Sequence, residues 1–310
     1  SIFSLQYNTM QEIYTKSQTH SIFEFTKEKL KYWLLDHPSI ASFRWSPTQS
    51  WGGTWWFLFS AIFFYVATVI TIHVILKLCR IRCQVPLGPL PAIHSLSMSL
   101  ISITIFFGMF FSAEVEVRDT RWLWQRTRTT PFEWLLCFPL GIRSSGRVFF
   151  WSYAFYLSRY LHILRTFFVV LSERKLSFFR LFNNSIILIM SFLWLEFSQS
   201  LQVLAILFST LVCFVVYGYR FWIQIGLPSK TFHYAGNLHM VLFGCNLACH
   251  VGVLLLHYSR GGCNGIGAWV FNSFLNVLIL WHFLKSYFDM HYQRKDTSSK
   301  RGQIKAKSKP

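Results

Sequence analysis

The chain has 310 residues, of which 53% are hydrophobic, 19% aromatic and only 14% charged. A water-soluble domain carries about 25% charged residues, so composition excludes that class. The formal net charge of +18 does not indicate nucleic acid: the bases gather at the ends of apolar runs and in the tail from Arg294 to Lys309, where they meet anionic headgroups, and no basic and aromatic recognition module accompanies them.

Residues 1–50 are polar and mixed in charge, without the apolar segment of a signal peptide. They read as a polar N-terminal segment, and the first apolar run then serves as the uncleaved targeting signal. That run, Trp55 to Leu78, follows Trp51 and holds Trp55 and Trp56, aromatic residues that suit a membrane interface. Lys77, Arg80 and Arg82 mark its end, and the segment Pro86 to Pro91 blocks helix continuation. A second span covers Pro91 to Ala113, followed by the polar loop Glu114 to Arg147. The third, Val148 to Leu171, contains Arg159, His162 and Arg165. Between Leu181 and Tyr219 the only charge is Glu196. As one helix this segment would be about 58 Å long, roughly twice a hydrocarbon core, so a reversal is expected near Glu196 to Ser200, with Glu196 at an interfacial turn. The sixth and seventh spans end near Tyr258 and Tyr287 and are joined by the glycine-rich turn Arg260 to Gly265. The expected fold class is therefore an all-α polytopic membrane protein with seven transmembrane helices over residues 51–290, and a basic tail over 291–310.

Lys77, Arg80, Arg82, Arg174, Lys175, Arg220, Lys230 and the tail fall on one side of this arrangement. The positive-inside rule then puts the C-terminus in the cytosol. The loop Glu114 to Arg147 opposes this with six arginines, and the tail decides. Lys307 and Lys309 are each one position away from a dilysine retrieval signal. The seven cysteines form no secreted disulfide pattern. Cys245 and Cys249, one turn apart, read as small packing residues, and Cys79 and Cys83 as weak palmitoylation candidates. His250 and His257 share a helix face but lack a third ligand, which disfavours a metal site. The sequon at Asn183 to Ser185 lies at membrane depth, where modification is not expected.

Five motifs carry a family resemblance. Leu136 to Arg143, with Gly146 to Tyr153, leads into the third span. Arg159, His162, Arg165 and Thr166 fall on the pattern KxxExxDT. Arg180-Leu-Phe-Asn-Asn184 falls on HxxHH. Ser209, Cys213, Val216, Tyr217, Tyr219 and Arg220 fall on NxxxHxxMYxYY, while Gly236, His239, Leu242 and Phe243 fall on TxxQxxQF. In this spacing, from about Lys31 to Lys295, the chain resembles the ELO family of very-long-chain fatty acid elongases, particularly a branch found in plants. The resemblance implies six helices enclosing an acyl tunnel, in the endoplasmic reticulum membrane. It also implies decarboxylating condensation of malonyl-CoA with a long-chain acyl-CoA to a 3-oxoacyl-CoA. No cofactor is implied beyond these substrates; the implied partners are membrane lipids, acyl-CoA and other enzymes of an elongase complex.

The family's histidines are replaced at the aligned positions. Neutral imidazole can accept an acyl group and shuttle protons near neutral pH. Asn183 and Asn184 can do neither, although an amide can donate to a thioester oxygen. Arg180 supplies charge but no base. Cys213, in place of a histidine, is the one intrinsic nucleophile, if a neighbour such as His239 or the arginine-rich third span activates it; the alternative is a packing residue. Arg159, His162 and Arg165 recur every three residues along one side of a helix, either as a cationic stripe for a CoA substrate or as side chains snorkelling to the helix end. The candidate catalytic positions are thus Arg180, Asn183, Asn184 and Cys213, and the candidate substrate contacts are Arg159, His162, Arg165, Tyr217, Tyr219 and His239. Two function classes remain: an elongase with altered catalytic groups, or a non-catalytic ELO-like lipid-binding or scaffold subunit. A receptor or channel is disfavoured because the loops lack receptor motifs.

Overall fold

In the computed structural model, the described residues are 24–26, 28–79, 87–119, 130–173, 176–227, 232–259, 261–281 and 284–285. Their side chains are described except at 131, 173, 232–240 and 243. The basic tail 291–310 and residues 1–23 lie outside this set. The long helices are α1 (Trp55–Leu78), α2 (Leu90–Asp119), α3 (Arg147–Glu173), α4 (Phe178–Glu196), α5 (Gln202–Gln224), α6 (Phe232–Ser259) and α7 (Ile266–Trp281). Among the described residues, α1 to α5 are long and apolar enough to cross a membrane. Among the described residues the arrangement is all-helical apart from one isolated antiparallel bridge between Arg44 and Ser145.

Local chemistry sets the helix limits. The Thr54 side chain accepts from Phe57 N and starts α1, and Ser177 caps α4 in the same way through Arg180 N; both answer amides that a helix start leaves unpaired. The expected reversal falls where the sequence places it. The helix ends at Glu196 and resumes at Gln202 because Ser198 (φ 44°) and Leu201 (φ 72°) take the left-handed conformation, which no right-handed helix can incorporate. The carbonyls of Phe197 and Ser198 are taken by the Asn264 side-chain amide at 3.2 and 3.0 Å. The second span runs past its expected end at Ala113 to Asp119, carrying an Arg118–Glu114 pair one turn apart.

α2 packs chiefly against α5 and α3, while α1 lies on α3 and α4. Gly108 makes the α2–α3 approach possible, since a Cβ there would sit 2.2 Å from the Trp151 ring. The segment before α1 belongs to the same body. Its carbonyls at Leu34 and Leu35 accept from Trp151 Nε1 and Arg147 Nε, both at 3.1 Å. Gly52 O accepts from Tyr156 Oη at 2.9 Å. Arg147 also pairs with Asp36 at 3.6 Å and Asp119 at 3.7 Å. These contacts gather the strap 32–54, the end of α2, the start of α3 and the α4–α5 turn at one end of the bundle.

At that end a disulfide joins Cys137 to Cys263. The sequence shows no secreted disulfide pattern among the cysteines, and the structure pairs these two. The two residues are 126 positions apart, and connectivity over such a distance cannot be deduced from sequence; only the fold lays the glycine-rich turn over the loop that precedes α3. Leu136, Leu201, Val253 and Trp269 pack around the pair. Maleimide-polyethylene-glycol labelling of the denatured protein is expected to add two more adducts after reduction than before. Cys263→Ser is expected to cost about 2–5 kcal/mol of stability, read as a lower unfolding midpoint in detergent. Equal labelling with and without reductant would contradict the pairing.

Candidate functional site

Near the opposite end of the bundle, polar side chains from four helices converge inside otherwise apolar surroundings. His94 stands four residues after the start of α2, Thr166 seven before the end of α3, Asn184 six after the start of α4 and Tyr217 seven before the end of α5. At 1.5 Å per residue these positions lie about 6–11 Å in from the helix ends.

Two rungs connect α3 to α5. In the first, Arg159 is 4% exposed. Its Nη1 approaches Cys213 Sγ at 3.7 Å, Nη2 donates to Ser158 Oγ at 3.0 Å, and the guanidinium lies 4.1 Å from the centre of the Phe155 ring. In the second, His162 Nδ1 and Tyr217 Oη are hydrogen-bonded at 2.8 Å. Arg159 and His162 are one turn apart on α3, as Cys213 and Tyr217 are on α5, so each pair presents one face to the other. Arg165 extends the series, with its guanidinium 5.8 Å from the Tyr217 ring centre and its Nε buried without a partner. The stripe therefore faces α5 and the bundle interior, not the lipid as snorkelling residues would.

His94 closes the cluster from α2. Its Nε2 is 3.0 Å from the Leu161 carbonyl. A carbonyl only accepts, so Nε2 carries the proton and a neutral ring keeps Nδ1 as an acceptor. The ring also meets Tyr217 edge-on at 5.9 Å. Sequence reasoning passed over His94, although an isolated histidine in an apolar span is the signal that intramembrane polar groups give. His73, on α1, is a similar case and stays apart from the cluster, with Nδ1 buried and unpartnered.

Asn184 belongs to an adjoining group. Its Nδ2 donates to Thr166 Oγ1 at 2.9 Å and to Tyr65 Oη at 3.0 Å, while Tyr65 Oη donates to Thr166 at 3.1 Å. Both amide hydrogens are thereby used, and Asn184 ties α1, α3 and α4 together. Tyr65 was not anticipated. Arg180 lies close enough to Tyr65 to interact electrostatically. Asn183 and Tyr219 are half-buried. His239 lies on α6 with its side chain outside the described residues.

Two further histidines, His250 and His257, serve the other end. His250 Nδ1 pairs with Ser273 Oγ at 2.8 Å, and His257 Nδ1 accepts from Cys263 N at 2.9 Å. Glu196 sits at the turn as expected and accepts from Trp45 Nε1 at 3.0 Å. Among the described residues, no three His, Cys, Asp or Glu side chains gather as metal ligands do. A small cavity of about 10 Å³ adjoins His250 and Asn272, and a larger one of about 460 Å³ opens at the disulfide end.

A helical membrane protein with buried cations, imidazoles and a thiol facing one another is thus the class that fold and site define. The profile described as ELO: GNS1/SUR4 family matches residues 50–300, and the chain belongs to the ELO family. It is 57% identical over 265 residues to a protein of Arabidopsis thaliana named "Fatty acid elongase 3-like", covering 84% of this chain and 92% of that one. It is also 23% identical over 156 residues to "Fatty acid elongase sre1" of Dictyostelium discoideum, covering 50% and 53%. No solved structure matches the chain.

Asn184→Ala is expected to cost about 1–3 kcal/mol, because Tyr65 and Thr166 lose a buried donor. Asn183→Ala is expected to change stability by less than about 0.5 kcal/mol. Denaturant unfolding in mixed micelles measures both, and equal stability of the two variants would contradict the structural role of Asn184.

Proposed function

We propose that this chain is a very-long-chain fatty acid elongase-like enzyme that condenses malonyl-CoA with long-chain acyl-CoA at the α2–α3–α5 cluster. The observation that carries this reading is the buried guanidinium of Arg159 at 3.7 Å from Cys213 Sγ, with the His162–Tyr217 pair one turn away. A cysteine sulfur is a nucleophile toward a thioester carbon.

In the first half-reaction, Cys213 Sγ attacks the acyl-CoA thioester carbon, the bond from that carbon to the CoA sulfur breaks, and CoA leaves as a thiol carrying the cysteine proton. The product is an acyl-cysteine thioester. In the second, malonyl-CoA loses CO2, its α-carbon bonds to the acyl carbon, and the Cys213 sulfur departs and regains a proton. The products are 3-oxoacyl-CoA and CO2. Arg159 is placed to stabilise the anionic sulfur or the thioester oxygen, and His162 with Tyr217 to carry the proton. Arg180, Asn183 and Tyr219 line the approach in this reading, with Arg165 adding charge for the CoA phosphates. No cofactor beyond the two substrates is needed. The partners that fit are membrane lipids, acyl-CoA and the enzymes that process the 3-oxoacyl product.

The same reading puts α6 and α7 across the membrane as sixth and seventh spans, with six helices around an acyl tunnel. It locates the protein in the endoplasmic reticulum membrane, with the C-terminus in the cytosol. The Cys137–Cys263 disulfide supports that sense, since a disulfide persists in an oxidising lumen and the bond lies at the end opposite the basic residue Lys77 of α1.

A second reading, a non-catalytic ELO-like subunit that binds lipid or supports an elongase complex, is favoured by one observation: the Asn184 amide is committed to Tyr65 and Thr166. Purified full-length protein supplied with acyl-CoA of several lengths and malonyl-CoA labelled at its α-carbon separates the two. Labelled 3-oxoacyl-CoA is expected, abolished in Cys213→Ala and reduced about 10²-fold in Arg159→Gln. No product at any length, with lipid still copurifying, would leave the scaffold reading.

A further inference from the structure

The cavity of about 460 Å³ lies at the disulfide end, and Arg44, Arg143, Glu196 and Asn264 are among its lining residues. It is separated from the Asn184 level by twelve residues of α4, or about 18 Å, so it is not part of the cluster assigned to condensation. Its walls come from four stretches far apart in sequence, and hydrogen bonds fix each one. Trp45 N donates to Ser144 O at 2.9 Å, and Trp45 Nε1 to Glu196 Oε2 at 3.0 Å. Ser144 and Ser198 share a hydroxyl contact at 2.5 Å. Asn264 Nδ2 reaches the carbonyls of Phe197 and Ser198, and its Oδ1 accepts from Gly141 N at 3.3 Å.

This rigidity has a local backbone cost. Ser198 holds φ at 44°, a conformation uncommon outside glycine and asparagine, and such strain gathers where a shape is functional. Gly265 must be glycine for the turn to close, since φ is +67° and a Cβ would stand 2.7 Å from Phe197 O. The concavity is thus built into the folded chain before any ligand arrives.

Its chemistry is uneven in a useful way. Arg44 and Arg143 are exposed members of its lining, and among the described residues neither is held in an ion pair that the structure records. The one acid in the wall, Glu196, has an oxygen occupied by the Trp45 indole. Ile142, Pro47 and the half-exposed Phe197 supply apolar wall beside the two guanidiniums. Guanidinium forks match phosphoryl oxygens better than they match a single acceptor, and the volume is that of a small-molecule site. We propose that this cavity binds a phosphoryl anion, with Arg44 and Arg143 as its ligands. A phospholipid headgroup of the adjoining leaflet and a soluble phosphate are the two sources of that chemistry. The site stands whether or not the condensation reading holds.

The test uses full-length protein in neutral detergent. Native mass spectrometry follows titration with phosphatidic acid in mixed micelles, and thermal unfolding follows titration with inorganic phosphate. Wild type and an Arg118→Gln control are expected to bind at least roughly tenfold more tightly than Arg44→Gln/Arg143→Gln, with all three unfolding at the same temperature without ligand. Arg44→Lys/Arg143→Lys, which keeps the charge and loses the forks, is expected to fall between. Arginine-dependent binding of phosphatidic acid without a phosphate effect assigns a lipid headgroup; an arginine-dependent phosphate effect assigns a soluble anion. Binding of neither ligand by wild type, or undiminished binding by the glutamine double variant, would overturn the proposal.

Discussion

A guanidinium placed in the middle of a membrane helix has no water to turn to, and most of the cluster follows from how Arg159 meets that constraint. A charge at this depth costs at least about 3 kcal/mol unless the protein supplies partners. Arg159 finds them in the Ser158 hydroxyl, the Phe155 ring face and the Cys213 sulfur. The last of these fixes the facing of α3 on α5, and with that facing set, His162 meets Tyr217 and His94 closes from α2. The arrangement that satisfies the charge is also the one that brings a thiol, a cation and two imidazoles within a turn of one another.

The two ends of the bundle differ in kind. At the polar cluster the helices are held by side chain to side chain contacts within the apolar zone. At the disulfide end the hold is between loops: the strap before α1, the Gly141 to Ser145 loop and the α4–α5 turn are joined through Asn264, Glu196 and the Cys137–Cys263 bond. A covalent link and a set of backbone acceptors give that end a fixed shape.

Charge-free runs of about twenty residues made the long helices legible in the sequence, and the lone Glu196 in a segment too long for one span located the reversal. Helical periodicity also put Arg159, His162 and Arg165 on one side of α3. What periodicity cannot give is the partner across an interface. The disulfide, the His94 contact and the capture of Asn184 by Tyr65 all join residues more than sixty positions apart. The strap was hidden for a related reason: residues 32–50 are polar in composition, yet much of what they offer the helices is backbone carbonyls at Leu34, Leu35 and Phe43, which composition does not reveal.

The Arg159–Cys213 rung is the proposed acceptor of the acyl chain. The most direct measurement is peptide mass spectrometry of the protein after incubation with long-chain acyl-CoA and no malonyl-CoA. A hydroxylamine-labile acyl group is expected on the peptide containing Cys213, present in wild type, strongly reduced in Arg159→Gln, and discharged when malonyl-CoA is added. An unmodified Cys213 in protein that still holds the acyl-CoA would contradict it.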